Sequence, residues 1–134
     1  IKNHKHNYYE YYQTTILTFK EFNDFWNPKV GRACHYCGIS ESQINQLDND
    51  NKIETKRFYS RGKTMEVDKK DAFGEYTKDN ILLSCYWCNN AKTDEFSLSD
   101  FKEIAKGING VWSNRLNTKI NFPDNTYNQP NKKY

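Results

Sequence analysis

The sequence predicts an α+β domain in which two short strands and a following helix are braced by a four-cysteine metal site, with further helices on either side. Three observations predict it. Cys34-x-x-Cys37 and Cys85-x-x-Cys88 are two cysteine pairs with the spacing of metal knuckles. Two short apolar segments, 64–68 and 81–84, lie ahead of the second pair and read as strands. Thr18-x-x-Glu21 and Ser97-x-x-Asp100 each open an apolar stretch of helical period with a capping pattern.

Residues 1–16 are polar and tyrosine-rich, with His4 and His6 set among lysines, and form a separate N-terminal segment. The domain proper is expected over 17–116. Its first helix starts after Thr18 and places Phe19, Phe22 and Trp26 on one packing face, and Asn27-Pro28 stops it. A tight cysteine turn at 31–38 follows. Residues 40–60 are polar and weakly patterned and read as a long loop, with one helical turn around 42–47. In the first strand, Met65 and Val67 alternate inward; 71–79 connect it to the second, which runs into the second cysteine turn. A short helix is expected over 90–95. The last helix carries Phe101, Ile104, Ala105 and Ile108 on one face, and 117–134 form an extended or loose tail.

A 134-residue chain has room for one compact domain. Its apolar content is only 36%, so the 16% of aromatic residues must supply much of the packing and a covalent or metal staple is expected. The 21 aromatic residues (3 Trp, 10 Tyr and 8 Phe) argue against disorder throughout. No apolar run reaches transmembrane length and no signal peptide is legible, so a cytoplasmic setting is expected. Ile1 is not an initiator methionine, and residues are expected to precede it. A net charge of +3 is compatible with nucleic acid and equally with solvated lysines.

Two-residue spacing lets both thiolates of a knuckle reach one ion, and two knuckles complete a closed tetrahedral site for a structural zinc. Two disulfides are the alternative, although nothing marks the chain as secreted. A second constellation is Asp68 at the end of the first strand, Asn80 at the start of the second and Asn89 after the last cysteine. If the strands form a hairpin, these oxygen donors can meet over a hard cation such as Mg2+. Each alone is an ordinary turn or cap residue.

The runs Glu66-Val67-Asp68-Lys69-Lys70-Asp71, Glu75-Tyr76-Thr77-Lys78-Asp79-Asn80-Ile81 and Cys85-Tyr86-Trp87-Cys88-Asn89-Asn90-Ala91-Lys92 resemble an HNH nuclease of the ββα-metal superfamily. Within it, Cys34-His35-Tyr36-Cys37-Gly38-Ile39-Ser40-Glu41 and Phe96-Ser97 are similar to the PacI-like HNH restriction endonucleases. The resemblance covers about residues 32–108. It implies a ββα-metal hairpin-helix core, a structural zinc on the four cysteines and a catalytic Mg2+ or Mn2+ on Asp68 and Asn89. Asn80 would hold the hairpin and orient the catalytic residue, and Lys92 would lie near a phosphate.

Lys69 occupies the slot where HNH enzymes place histidine as general base and the PacI-like branch places arginine. An unperturbed lysine, with a pKa of ~10.4, is neutral in only about one molecule in 2,500 at pH 7. Lys69 is therefore expected to supply transition-state charge rather than to act as base. Water bound to the metal, His4, His6, His35 or a tyrosine among Tyr8, Tyr9, Tyr11 and Tyr12 would then generate the nucleophile. The branch's upstream tyrosine and histidine fall at Trp26 and Gln13, and its additional N-terminal cysteine cluster has no counterpart in residues 1–33.

Lys52, Lys56, Arg57, Arg61, Lys63, Lys69 and Lys70 face only Glu54, Glu66 and Asp68, a stretch suited to a phosphate backbone. Arg61, Lys63, Lys70 and Lys92 are the nucleic-acid-contacting candidates. The expected activity is metal-dependent hydrolysis of DNA, RNA remaining an alternative substrate, in restriction, phage biology or anti-phage defence. A homodimer or a partner chain of a defence system is the expected assembly. Two other readings stay open: a zinc-stabilised nucleic-acid-binding module without catalysis, and a zinc-knuckle domain for protein contacts.

Overall fold

The computed structural model describes residues 17–55 and 60–125. Helix α1 (Phe19–Trp26) starts where Thr18 caps it: the Glu21 N–H donates to the Thr18 hydroxyl at 3.1 Å, and the Thr18 N–H donates back to the Glu21 carboxylate at 2.9 Å. Its aromatic face does not enter the core as expected. Phe19 is 84% exposed, and Phe22 stacks instead on Trp26 of its own helix, 6.1 Å between centroids. The Arg32 guanidinium lies over Trp26 at 4.3 Å.

Helix α2 (Glu41–Asn49) extends the single turn expected at 42–47 and takes the first part of the expected loop. Ser40 and Gln43 form a second reciprocal capping box, and Ile44 and Leu47 are buried. An apolar pair three residues apart is too short to establish a period, and the capping box is the signal that marks this helix. Glu41 fastens α2 to its surroundings, accepting from Arg32 at 2.8 Å and from the Met65 N–H at 2.6 Å.

Strands β1 (Glu66–Lys69) and β2 (Ile81–Ser84) pair antiparallel, with Glu66 opposite Ser84 and Asp68 opposite Leu82. Met65 is buried just before β1, whereas Val67 is half-buried. Helix α3 (Tyr86–Lys92) begins earlier than the expected 90–95, because the second knuckle is itself the first helical turn. Cys85 caps it, its sulfur accepting from the Cys88 N–H at 3.4 Å.

Helix α4 (Leu98–Leu116) opens on Ser97 and ends at Asn117, a left-handed residue with φ 54°. It is longer than its first apolar stripe. Gly107 and Gly110 weaken helix propensity, but Phe101, Ala105, Asn109, Trp112 and Leu116 continue one buried face at spacings of three and four. Residues 118–125 carry no regular secondary structure and lie against the core, with Ile120 buried, and positions 126–134 of the expected tail lie outside the described residues. The Asn109 amide ties this segment to the first knuckle, donating to the carbonyls of Ile120 at 3.0 Å and Cys37 at 2.8 Å. Gly38, at φ 91°, lies so close beneath the Asn121 carbonyl that a Cβ there would collide with it. All four cysteines sit inside the core, with Ile39, Phe101, Leu98 and Met65 in the same cluster.

Candidate active site

The four cysteine sulfurs lie within 4.8 Å of one another, and each residue is at least 98% buried. None is in a disulfide. Four sulfurs at ~2.3 Å from one ion sit ~3.8 Å apart; Cys37 and Cys85 are at 3.9 Å. Backbone N–H groups of Cys37 and Cys88 point at the first sulfur of each knuckle, at 3.5 and 3.4 Å. Burial pushes the Cys34 thiol up, but hydrogen bonds from Cys37, Cys85 and Cys88 outweigh it and hold its pKa well below the ordinary value. The Cys85 and Cys88 thiols are driven up, first by Cys34 and then by Cys37. The cluster sets four converging sulfurs in an apolar enclosure, and fits a metal such as zinc.

The second site is built where β1 meets α3. Glu66 and Asp68 are two residues apart on a strand and share a face; Asn89 and Lys92 are three apart on a helix and share a side. The two faces meet along their length. Asn89 donates through Nδ2 to Glu66 Oε1 at 2.8 Å, and the Lys92 ammonium lies 3.8 Å from Asp68 Oδ2. Asp68 and Asn89 are therefore diagonal neighbours across the strand–helix seam.

Lys69 projects toward the connection between the strands, its ammonium 4.8 Å from the centre of the Tyr76 ring. Asn80 organises that connection. Its Oδ1 accepts from the Asp71 N–H at 2.9 Å, and its Nδ2 donates to the carbonyls of Asp71 at 3.1 Å and Glu75 at 2.8 Å.

The phosphate-contact candidates are placed unequally. Lys63 is exposed and Lys70 half-buried. Arg61 is committed to a two-pronged ion pair with Glu66, at 3.0 and 2.7 Å, and lies over the Tyr86 ring at 4.6 Å. Lys92 is 1% exposed and lies inside the seam. Lys56, Arg57, His4, His6, Gln13 and the tyrosines at 8–12 lie outside the described residues. His35 is half-buried, its ring edge-on to Tyr36 at 5.7 Å, and burial lowers its pKa.

Two residues of this site escaped the sequence reading. Glu66 was legible in principle, since strand alternation puts it on the same face as Asp68. Burial raises its carboxyl, but the hydrogen bonds of Arg61 and Asn89 prevail and hold its pKa below the usual carboxylate value. Tyr36 was not legible: its hydroxyl donates to Asp68 Oδ2 at 2.6 Å across 32 positions of sequence.

No family model matches the chain, and no curated protein does. Among solved structures, the rare-cutting HNH restriction endonuclease PacI is similar at 27% identity, over 85% of this chain and 77% of that one, with a TM-score of 0.63. The chain is HNH-like. Its hairpin, the following helix and the four-cysteine cluster make a ββα-metal fold, as the motifs at 66–92 implied. The likeness to an HNH endonuclease supports a nuclease-type function. Among the described residues, no helix of this HNH-like chain is long and apolar enough to cross a membrane.

Proposed function

We propose that the chain is a divalent-metal-dependent HNH endonuclease that hydrolyses phosphodiester bonds in DNA, in a restriction, phage-related or anti-phage defence setting. The observation that carries this reading is the seam itself. Asp68 from β1 and Asn89 from α3 present oxygens across one strand–helix contact, and each side chain is anchored by a neighbour, Tyr36 and Glu66 respectively. A Mg2+ or Mn2+ held there would polarise the scissile phosphate and stabilise the leaving 3′-oxygen.

The chain's own residues divide the remaining work. Lys69 brings positive charge to the rim, where it offsets charge developing on the phosphoryl oxygens. Asn80 holds the connection against which Lys69 rests. Lys63 and Lys70 would meet the flanking backbone, and Arg61 would join them on exchanging Glu66 for a phosphate. The four cysteines would hold a structural zinc that keeps the first knuckle against β2, where the His35 N–H donates to the Leu83 carbonyl at 2.8 Å.

The test is plasmid cleavage by zinc-loaded protein in Mg2+, Mn2+ or EDTA, with Asp68→Ala as control for contaminating nucleases. Nicking or linearisation that needs the metal and vanishes in the variant is the expected result. Shifted DNA in a gel without cleavage in either metal would favour the non-catalytic binding module, to which Lys69 in the histidine slot lends weight. Cleavage of RNA but not DNA would reassign the substrate.

A further inference from the structure

Tyr36 belongs to the first knuckle by sequence and to the metal seam by contact. It lies between Cys34 and Cys37, is 3% exposed, and packs edge-on to Phe101 with ring centroids 5.1 Å apart. The knuckle and α4 thus fix its ring, and its hydroxyl donates to Asp68 Oδ2 at 2.6 Å. The Lys92 ammonium approaches that same oxygen at 3.8 Å. The Tyr36 hydroxyl as donor and the Lys92 ammonium as a nearby charge both engage Oδ2, which leaves Oδ1 as the oxygen Asp68 turns to a cation. Asn89 is set in the corresponding way. A carboxylate can only accept, so the amide end facing Glu66 is Nδ2 and Oδ1 is turned away.

We infer that Tyr36 is a positioning residue for the catalytic metal, holding Asp68 in a one-oxygen binding pose and linking that pose to the zinc knuckle. The inference rests on the metal site proposed above. A carboxylate at a strand end has two soft torsions, and without the hydroxyl it must lose that freedom when the cation binds. Ordering by an outer partner of this kind is worth about 10–100-fold in metal affinity. The phenyl ring does the packing and the oxygen does the positioning, so the two roles separate in a Tyr36→Phe variant.

The experiment is calorimetric Mn2+ titration of the zinc-loaded full chain, comparing wild type, Tyr36→Phe and Asp68→Ala, with zinc content and thermal midpoint measured alongside. The inference expects Asp68-dependent Mn2+ binding that weakens about tenfold in Tyr36→Phe, with zinc content and midpoint as in wild type. Wild-type Mn2+ affinity in Tyr36→Phe overturns the role of Tyr36 while leaving the metal site intact. A Tyr36→Phe protein that loses zinc or melts early also overturns it, because the residue would then be structural. Wild-type protein with no Asp68-dependent binding overturns the metal reading itself, and the role of Tyr36 with it.

Discussion

Asn89 on α3 and Glu66 on β1, 23 positions apart in sequence, are joined by a 2.8 Å hydrogen bond from the amide to the carboxylate, and Arg61 clamps both oxygens of the same carboxylate. This arrangement makes Glu66 the orienting partner of a proposed metal ligand. Glu66→Ala removes the acceptor, so the Asn89 amide is no longer held with its oxygen toward the cation. The expected result is a ~10–100-fold rise in the Mn2+ concentration that half-saturates cleavage. Glu66→Gln keeps an acceptor for Asn89 while weakening the hold on Arg61, and should lose less. Cleavage rate against Mn2+ concentration for the two variants gives the comparison, and equal losses would mean that the Arg61 ion pair matters more than the amide.

The four cysteines are buried at the centre of the core, not at its edge, so their metal and the fold should be lost together. One zinc per chain is expected by elemental analysis. Chelation, or Cys37→Ser, should abolish the cooperative thermal transition rather than shift it by a few degrees. Retention of a sharp transition at unchanged temperature after zinc is stripped would show that aromatic packing alone carries the domain.

The sequence made the fold's local features legible and left its long-range contacts hidden. Cysteine spacing identified both knuckles, and side-chain chemistry gave the caps at Thr18 and Ser97, because these signals act within three or four residues. Strand β2 was legible to the residue since Ile81, Leu82 and Leu83 stand out in polar surroundings. The polar composition of α2 left only its turn at 42–47 legible, and the glycines of α4 obscured how far its buried face runs beyond its first stripe, where burial against the core prevails over propensity. The exposure of α1 follows from what stands opposite Phe19, which no periodicity reports. The same limit governs the site. Asp68 and Asn89 were singled out from their places at the strand end and helix start and from motif resemblance, whereas Tyr36 reaches Asp68 only once the knuckle is folded against the hairpin.

Asn109 is a buried polar residue on the apolar face of α4, and its amide satisfies two carbonyls of separate segments, Cys37 in the knuckle and Ile120 in the strap of residues 118–125. Asn109→Ala leaves both acceptors buried without that donor. Each orphaned group costs about 1–3 kcal/mol, so the variant should be destabilised by at least ~2 kcal/mol in denaturant unfolding. Asn109→Leu restores volume but not the donor, and should recover little. Full recovery by leucine would place the role of Asn109 in packing.

Asn80 closes the connection between the strands with three side-chain hydrogen bonds, and Gly74 sits so close beneath it that a Cβ would lie 2.8 Å from Asn80 Nδ2. The connection carries Tyr76, whose ring faces the Lys69 ammonium. Asn80→Ala retains the backbone bond from the Lys70 N–H to the Asn80 carbonyl, so the hairpin should persist while the connection loosens. Lys69 then loses its resting surface, and the loss should fall on the chemical step. Single-turnover cleavage at saturating metal is expected to slow about tenfold, corresponding to ~1.4 kcal/mol of barrier. Mn2+ affinity and DNA affinity should stay within about twofold, since neither Asp68 nor Asn89 is held by Asn80. Asn80→Asp can still accept from Asp71 but turns a carboxylate toward two carbonyls, and should be at least as slow as the alanine variant. A variant that cleaves at the wild-type rate but binds Mn2+ poorly would instead place Asn80 in support of the metal site.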